Sequence, residues 1–226
     1  LLGPNGAGKT TTVKMLSTLL TPTSGSARVL GYDISDERTM QDLRRRINTV
    51  SGGERGLYYR LSARQNLEFF ADLYGIPKKE QKDLFAKLLE DVGLTEAADI
   101  KVENYSRGMK QRLHIARSLV NNPEVLFLDE PTIGLDPEIS REIRRMIKSL
   151  SESGTAIVLT SHYMYEVEEL CDRMIVISNG KTVGSGTAAE IKESVSDPSA
   201  VHVVTERDPS DAVSSLRADN RISFAS

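Results

Sequence analysis

Residues Gly3 to Thr10 read Gly-Pro-Asn-Gly-Ala-Gly-Lys-Thr, a complete G-x-x-x-x-G-K-[ST] loop. A loop of this kind is expected to link a buried strand to the start of a helix. Gly6 and Gly8 let backbone N–H groups converge on phosphate oxygens, Lys9 reaches the terminal phosphates, and the Thr10 hydroxyl suits Mg²⁺. The stretch Thr11 to Leu20 is expected to be the helix, and its positive N-terminus adds to the anion site. Only Leu1 and Leu2 precede the loop. The chain is therefore read as opening in mid-strand, with any adenine-stacking aromatic upstream of Leu1.

Behind the loop, turn and periodicity signals divide the chain into three stretches. Thr21-Pro22-Thr23-Ser24-Gly25 is a turn, Ala27 to Leu30 a short strand, Asp36 to Arg46 a helix and Ile47 to Val50 a strand. Ser62 and Gln65 form a capping box ahead of Leu67, Phe70, Leu73 and Tyr74, with Gly75 as the stop. Lys78 to Val92 is a second helix, and Leu113, Ala116, Leu119 and Val120 mark a third. Residues 62 to about 115 therefore read as an inserted all-helical subdomain. From Val125 the pattern alternates: strand Val125 to Leu128, helix Pro137 to Ser151, strand Thr155 to Leu159, helix Tyr163 to Leu170, strand Met174 to Ile177. Continuous apolar strands separated by helices imply a parallel sheet with right-handed crossovers. Asn179-Gly180 is a two-residue hairpin turn. Past residue 195 the signal thins to a possible strand, Val201 to Thr205, and a possible helix, Ser210 to Leu216.

Composition excludes several classes. Lys plus Arg is 29 against 32 Asp plus Glu, a net charge of −3, so bulk attraction to nucleic acid or an anionic bilayer is absent. No apolar run is longer than Val125 to Leu128, far short of the ~18 residues of a membrane span. Cys171 is the only cysteine, which fits a reducing, cytosolic compartment and a small buried side chain.

Two further constellations carry chemistry. Val-Leu-Phe-Leu-Asp-Glu at 125 to 130 is a buried strand surfacing in two carboxylates. Asp129 can thus stand beside the phosphate loop with a metal ion, and Glu130 can orient or deprotonate a water. Ser106 and Gly108 stand at the start of the helical pattern Leu113, Ala116, Leu119 and Val120 and offer a hydroxyl and free N–H groups to an anion.

In this order the pieces resemble the ATPase subunit of an ATP-binding cassette (ABC) transporter, over Leu1 to about Val195. Gly3 to Thr10 is similar to the family's Walker A loop. Val125 to Asp129 is similar to Walker B, followed by Glu130 as catalytic base. Ser106-Arg107-Gly108-Met109-Lys110-Gln111 stands in the place of the Ser-Gly-Gly-Gln signature. Gly134-Leu135-Asp136 resembles the D-loop, and Ser161-His162 the switch histidine. The resemblance implies an α/β P-loop NTPase fold: a mostly parallel sheet flanked by helices, a helical insertion and an incomplete antiparallel β subdomain. Residues 1–195 would form the ATPase domain and 196–226 the start of an appended element.

The same likeness implies the functional assignments. Glu130 and His162 are expected to be catalytic. Gly3, Pro4, Asn5, Gly6, Ala7, Gly8, Lys9, Thr10 and Thr11 are expected to bind ATP, with Ser106, Gly108 and Asp136 acting on the nucleotide of a second subunit. Thr10 and Asp129 are expected to hold Mg²⁺. The implied protein hydrolyses ATP through head-to-tail dimerisation and powers export through a transmembrane permease subunit. It would be cytoplasmic, peripheral on the inner face of the cell membrane through the permease, and would not bind nucleic acid.

Where the family carries a Q-loop glutamine the chain reads Ser51-Gly52-Gly53-Glu54, and the signature has Arg107 for Gly and Met109 for Gln. Gly53 to Tyr58 followed by Asn66 to Phe70 looks like cassettes of ABC-2-type exporters of drugs and polysaccharides. One alternative is a non-transport cassette ATPase, ribosome-associated or for DNA repair. Such proteins usually have a second cassette or a coiled-coil insertion, and neither is seen between Lys9 and Asp129. Another is a GTPase or small-molecule kinase, against which stands the lack of an Asn/Thr-Lys-x-Asp guanine motif.

Overall fold

The computed structural model describes residues 1–51 and 56–195. Chain contacts divide the protein into Leu1–Ile191 and Lys192–Ser226. The elements expected at Val201 to Thr205 and Ser210 to Leu216, and the Gly52-Gly53 stretch, lie outside the described residues.

Three strands make a parallel sheet. Strand β3 (Ile47–Ser51) pairs with β4 (Val125–Asp129), and β4 with β5 (Ala156–Thr160). Every residue of β4 is buried. Its pleat divides the core. Leu126 and Leu128 join Val50, Ile115, Ile143 and Ile147 on one face, while Val125 and Phe127 join Val13, Leu43 and Ile47 on the other. The register aligns Ser51, Asp129 and Thr160 at one carboxyl edge. Leu2 bridges Ser161 and Val176 in parallel, so the residue before the phosphate loop is flanked on both sides by strand-like pairing.

The helices are set by local chemistry. Helix α1 (Lys9–Leu16) follows the phosphate loop, and α2 (Met40–Arg46) runs into β3. Helix α3 (Ala63–Leu73) starts at the capping box, with both reciprocal bonds formed between Ser62 and Gln65. Helix α4 (Lys78–Asp91), a 3₁₀ turn (Val102–Asn104) and α5 (Arg107–Ser118) follow. These helices share a core of their own that includes Leu67, Phe85, Leu89, Val102 and Leu113. Helix α6 (Pro137–Glu152) is capped by the Asp136 carboxylate with Pro137 in its first turn, and α7 (Met164–Leu170) leads to β6 (Met174–Ser178).

Several expected boundaries move. The first helix stops at Leu16 rather than Leu20, because Thr18 takes φ 61°, held there by the Arg44 guanidinium on its hydroxyl (2.8 Å) and carbonyl (2.9 Å). The helix expected from Asp36 starts at Met40. Asp36 instead accepts the Arg38 N–H at 3.1 Å and its guanidinium at 3.0 Å, a local bond that competes with helix. The single strand Ala27 to Leu30 is a hairpin of β1 (Arg28–Val29) and β2 (Tyr32–Asp33). Strand β6 does not pair with β5 directly: Leu2 stands between them, parallel to both, and β6 also pairs antiparallel with β7 (Lys181–Gly186), around Asn179 and Gly180 at φ 48° and 73°. Helix α8 (Ala188–Val195) follows.

Candidate functional site

The phosphate loop ends at Gly8, whose φ of 104° favours glycine and turns the chain into α1. Pro4, Asn5, Gly6, Thr10 and Thr11 are exposed, whereas Gly3, Ala7 and Lys9 are buried. The Lys9 ammonium, only 5% exposed, folds back over its own loop and donates to the carbonyls of Gly3 (2.8 Å) and Pro4 (3.1 Å). A buried cation needs such partners, and the third is Glu130, whose Oε1 lies 3.2 Å from Nζ.

Glu130 enters from the end of β4. It has φ 51°, a left-handed conformation costing on the order of 1 kcal/mol for a residue with a side chain. Its N–H is held by the Thr160 hydroxyl (3.0 Å) and carbonyl (3.2 Å). The same Thr160 hydroxyl donates to Asp129 Oδ1 at 2.6 Å, and that oxygen also accepts the Thr10 hydroxyl at 3.1 Å. Adjacent strand ends thus lock the two carboxylates in different directions, Asp129 toward Thr10 and Glu130 toward Lys9.

His162 completes the group. Its Nδ1 is 2.6 Å from Glu130 Oε2, and its ring centroid is 3.9 Å from that of Tyr163. Five residues spread from position 9 to 162 therefore meet at one carboxyl edge: Lys9, Thr10, Asp129, Glu130 and His162. A cavity of about 870 Å³ opens beside Thr10 and Asp129, lined also by Lys14, Arg44, Asn48 and Arg117. Burial lowers the pKa of the Arg117 guanidinium, which donates to the Gly56 carbonyl at 2.8 Å.

Ser106, Gly108 and Asp136 are gathered into a second group, at the N-termini of α5 and α6. The Ser106 hydroxyl caps α5 by accepting the Met109 N–H (3.2 Å), and the Asp136 carboxylate caps α6 by accepting the Ile139 N–H (3.0 Å). A side chain at Gly108 would put its Cβ 2.8 Å from the Ile139 side chain, so glycine lets the two helix ends approach. Arg107 donates to the Gly134 carbonyl at 2.8 Å and closes the group.

Sequence reasoning passed over Thr160, which touches both carboxylates' segments. Its one signal is that it aligns with Asp129 once strands β4 and β5 are paired. Gln65 is occupied by its cap, accepting the Ser62 N–H at 2.9 Å.

The set of oxygens at the site suits a hard cation. Thr10 and Asp129 supply one hydroxyl and one carboxylate within hydrogen-bond distance of each other. Mg²⁺ is ordinarily held this way, by few protein oxygens together with substrate phosphates and water. No cluster of three His, Cys, Asp or Glu side chains suited to an all-protein metal cage occurs among the described residues.

The ABC transporter family profile matches residues 1–133. The linearmycin resistance ATP-binding protein LnrL of Bacillus subtilis is 44% identical over 191 residues, covering 84% of this chain and 60% of LnrL. The chain spans 58–60% of the length of the first curated relatives it matches. Among solved structures, cbiO1 of Clostridium perfringens, part of the ABC transporter complex cbiONQ, superposes with a TM-score of 0.78 at 29% identity, covering 85% of this chain and 77% of that one. The ATP-binding cassette MJ0796, in a dimeric post-hydrolysis state with ADP and Pi, gives 0.73 at 26% identity, covering 83% of each chain. A matched profile, an extensive sequence relative and two matching folds agree with the order of motifs along the chain, and the protein belongs to the ABC transporter family.

Proposed function

We propose that this chain is the ATP-hydrolysing subunit of an exporter, bound peripherally to a transmembrane permease and working as a head-to-tail dimer. The observation that carries the reading is the convergence of Lys9, Thr10, Asp129, Glu130 and His162 on one edge. Among the described residues no helix is long and apolar enough to cross a membrane. LnrL's name attaches it to linearmycin resistance, and MJ0796 is a dimer with ADP and Pi bound, which favours export and dimerisation.

The residues divide the work as follows. The loop N–H groups of Gly6 to Thr10 and the Lys9 ammonium bind the β- and γ-phosphates. Thr10 and Asp129 would hold Mg²⁺, which supplies charge neutralisation at the phosphates. Glu130, its backbone fixed by Thr160, accepts a proton from the attacking water. The water oxygen bonds to the γ-phosphorus as the bond to the β,γ-bridging oxygen breaks, so ADP leaves with that electron pair. His162 holds the Glu130 carboxylate in place and faces the γ-phosphate side. Ser106 and Gly108 of a second copy close over the nucleotide, with Asp136 beside them. Binding across two subunits favours the dimer, and hydrolysis releases it. Residues 1–195 form the ATPase domain in this reading, with residues of about 62–115 as the helical subdomain facing the permease.

The test is hydrolysis by the full-length chain with Mg²⁺ and ATP. Glu130→Gln is expected to abolish phosphate release while retaining ATP and accumulating as dimer. Undiminished phosphate release in that variant removes Glu130 from the mechanism.

A further inference from the structure

Glu166 is 2% exposed, sits in α7, and has no part in the reaction above. Its Oε1 accepts the Thr132 hydroxyl and its Oε2 accepts the Ser161 hydroxyl at 2.6 Å. Thr132 lies two residues beyond Glu130, and Ser161 directly precedes His162. One buried carboxylate therefore joins the loop that leaves β4 to the loop that leaves β5. Arg144 of α6 stands 3.9 Å from Glu166 Oε1 and donates to Glu169 at 2.6 Å, so the buried anion has a cationic neighbour as well as two hydroxyl donors. A carboxylate taken out of water is retained only when paired and hydrogen-bonded in this manner.

The bonds fix directions as well as distances. A carboxylate only accepts, so both hydroxyls must donate to it. With its proton committed, the Ser161 oxygen turns a lone pair to the Tyr163 N–H, which it accepts at 3.0 Å. Residues 161–163 are closed into a tight turn with His162 at its apex. The Tyr163 ring, 3.9 Å from the imidazole, backs that apex. On the other loop, Thr160 holds the Glu130 N–H and Glu166 holds Thr132, so Glu130 is anchored before and after its side chain.

We propose that Glu166 is a positioning residue that clamps the Glu130 and His162 loops to each other and sets the 2.6 Å approach of Glu130 Oε2 to His162 Nδ1. The inference rests on the ATPase reading for its catalytic consequence, but the clamp itself is a property of the nucleotide-free protein. An amide at position 166 offers one acceptor and one donor group, so it can satisfy one hydroxyl as before and not both.

The experiment uses the full-length chain, with Glu166→Ala, Glu166→Gln, Thr132→Val and Thr132→Ser. Misplacing a reacting group by about 1 Å costs up to about 100-fold in rate. Glu166→Ala and Thr132→Val are expected to lower kcat at least about 10-fold while ATP affinity stays within about 3-fold, because the side chains of Glu166 and Thr132 bond to each other and to Ser161 and not to the phosphate loop. Glu166→Gln should fall between, and Thr132→Ser, which restores the hydroxyl, should recover wild-type kcat. A second readout is the His162 Cε1–H resonance without nucleotide, identified by its loss in His162→Gln. It should move in Glu166→Ala and Thr132→Val and stay in place in Thr132→Ser. An unmoved resonance in a folded Glu166→Ala or Thr132→Val protein overturns the clamp, as does full kcat in both. Should Glu166→Ala fail to fold, Thr132→Val keeps the Glu166–Arg144 pair and carries the same outcomes. A moved resonance in a protein whose wild type hydrolyses no ATP would support the clamp and refute the ATPase reading.

Discussion

Glu130 divides its carboxylate between two cation-capable groups: Oε1 is 3.2 Å from Lys9 Nζ and Oε2 is 2.6 Å from His162 Nδ1. Glu130 is thereby the counter-anion of the buried Lys9 ammonium. In the proposed reaction a phosphate oxygen would compete with Glu130 for Lys9 and would leave the carboxylate to His162 and water.

Lys9→Ala removes the ammonium and leaves the Gly3 and Pro4 carbonyls without their donor. Losing one charge-assisted bond of about 2 kcal/mol corresponds to about 30-fold in affinity. Equilibrium binding of ATP to the variant should weaken by at least that factor, and unchanged affinity would contradict the role given to Lys9.

His162→Ala should keep ATP affinity nearly constant while kcat drops by about 100-fold or more, the range of positioned acid–base groups. The comparison of kcat with the dissociation constant separates this from a binding role. Loss of affinity in parallel with kcat would assign His162 to ground-state binding instead.

Thr160→Val deletes a buried hydroxyl that donates to Asp129 and accepts from the Glu130 N–H. Asp129 keeps the Thr10 hydroxyl and the Glu130 N–H keeps the Thr160 carbonyl, so losing the two hydroxyl bonds should destabilise the fold by about 1–3 kcal/mol. Urea unfolding measures it, and a stability equal to wild type would show that the two carboxylates do not depend on this residue.

Leu89→Ala opens a cavity in the separate core of the helical segment, where Leu89 is 1% exposed. The cost should be about 2–5 kcal/mol. Since this core is distinct from the one beneath the phosphate loop, ATP affinity of the folded variant should stay at the wild-type value. A large fall in affinity would mean that the two cores are not energetically separate.

Burial pushes the Cys171 thiol above its ordinary range. The raised folded value means the folded state holds its proton more tightly than the unfolded state, whose thiol titrates near ~8.5. This contribution to stability is complete below about pH 8.5 and is lost as pH rises toward the folded value. Cys171→Ala should therefore flatten the decline of stability above that pH, and thiol labelling at pH 8 should be slower in the native protein than in urea.

Much of the site is written in local patterns. The phosphate loop needs only its own residues, since glycine spacing and a following helix create the anion cradle wherever they occur. The apolar runs at 125–128 and 156–159 declare parallel strands by their continuity, and the Ser62–Gln65 cap declares where α3 begins. The missed hairpin β1–β2 and the early end of α1 at Leu16 depend on contacts from elsewhere, such as Arg44 on Thr18, which no window along the chain contains. Residue types and their order determined that a phosphate loop, two strand-end carboxylates and a histidine would be present. Tertiary structure alone decided that Glu130 lies between Lys9 and His162, that Thr160 anchors both carboxylate segments, and that Glu166 joins Thr132 to Ser161. Apart from the Glu166–Ser161 bond, those links join residues 30 to 121 positions apart, and local propensity carries no term for them.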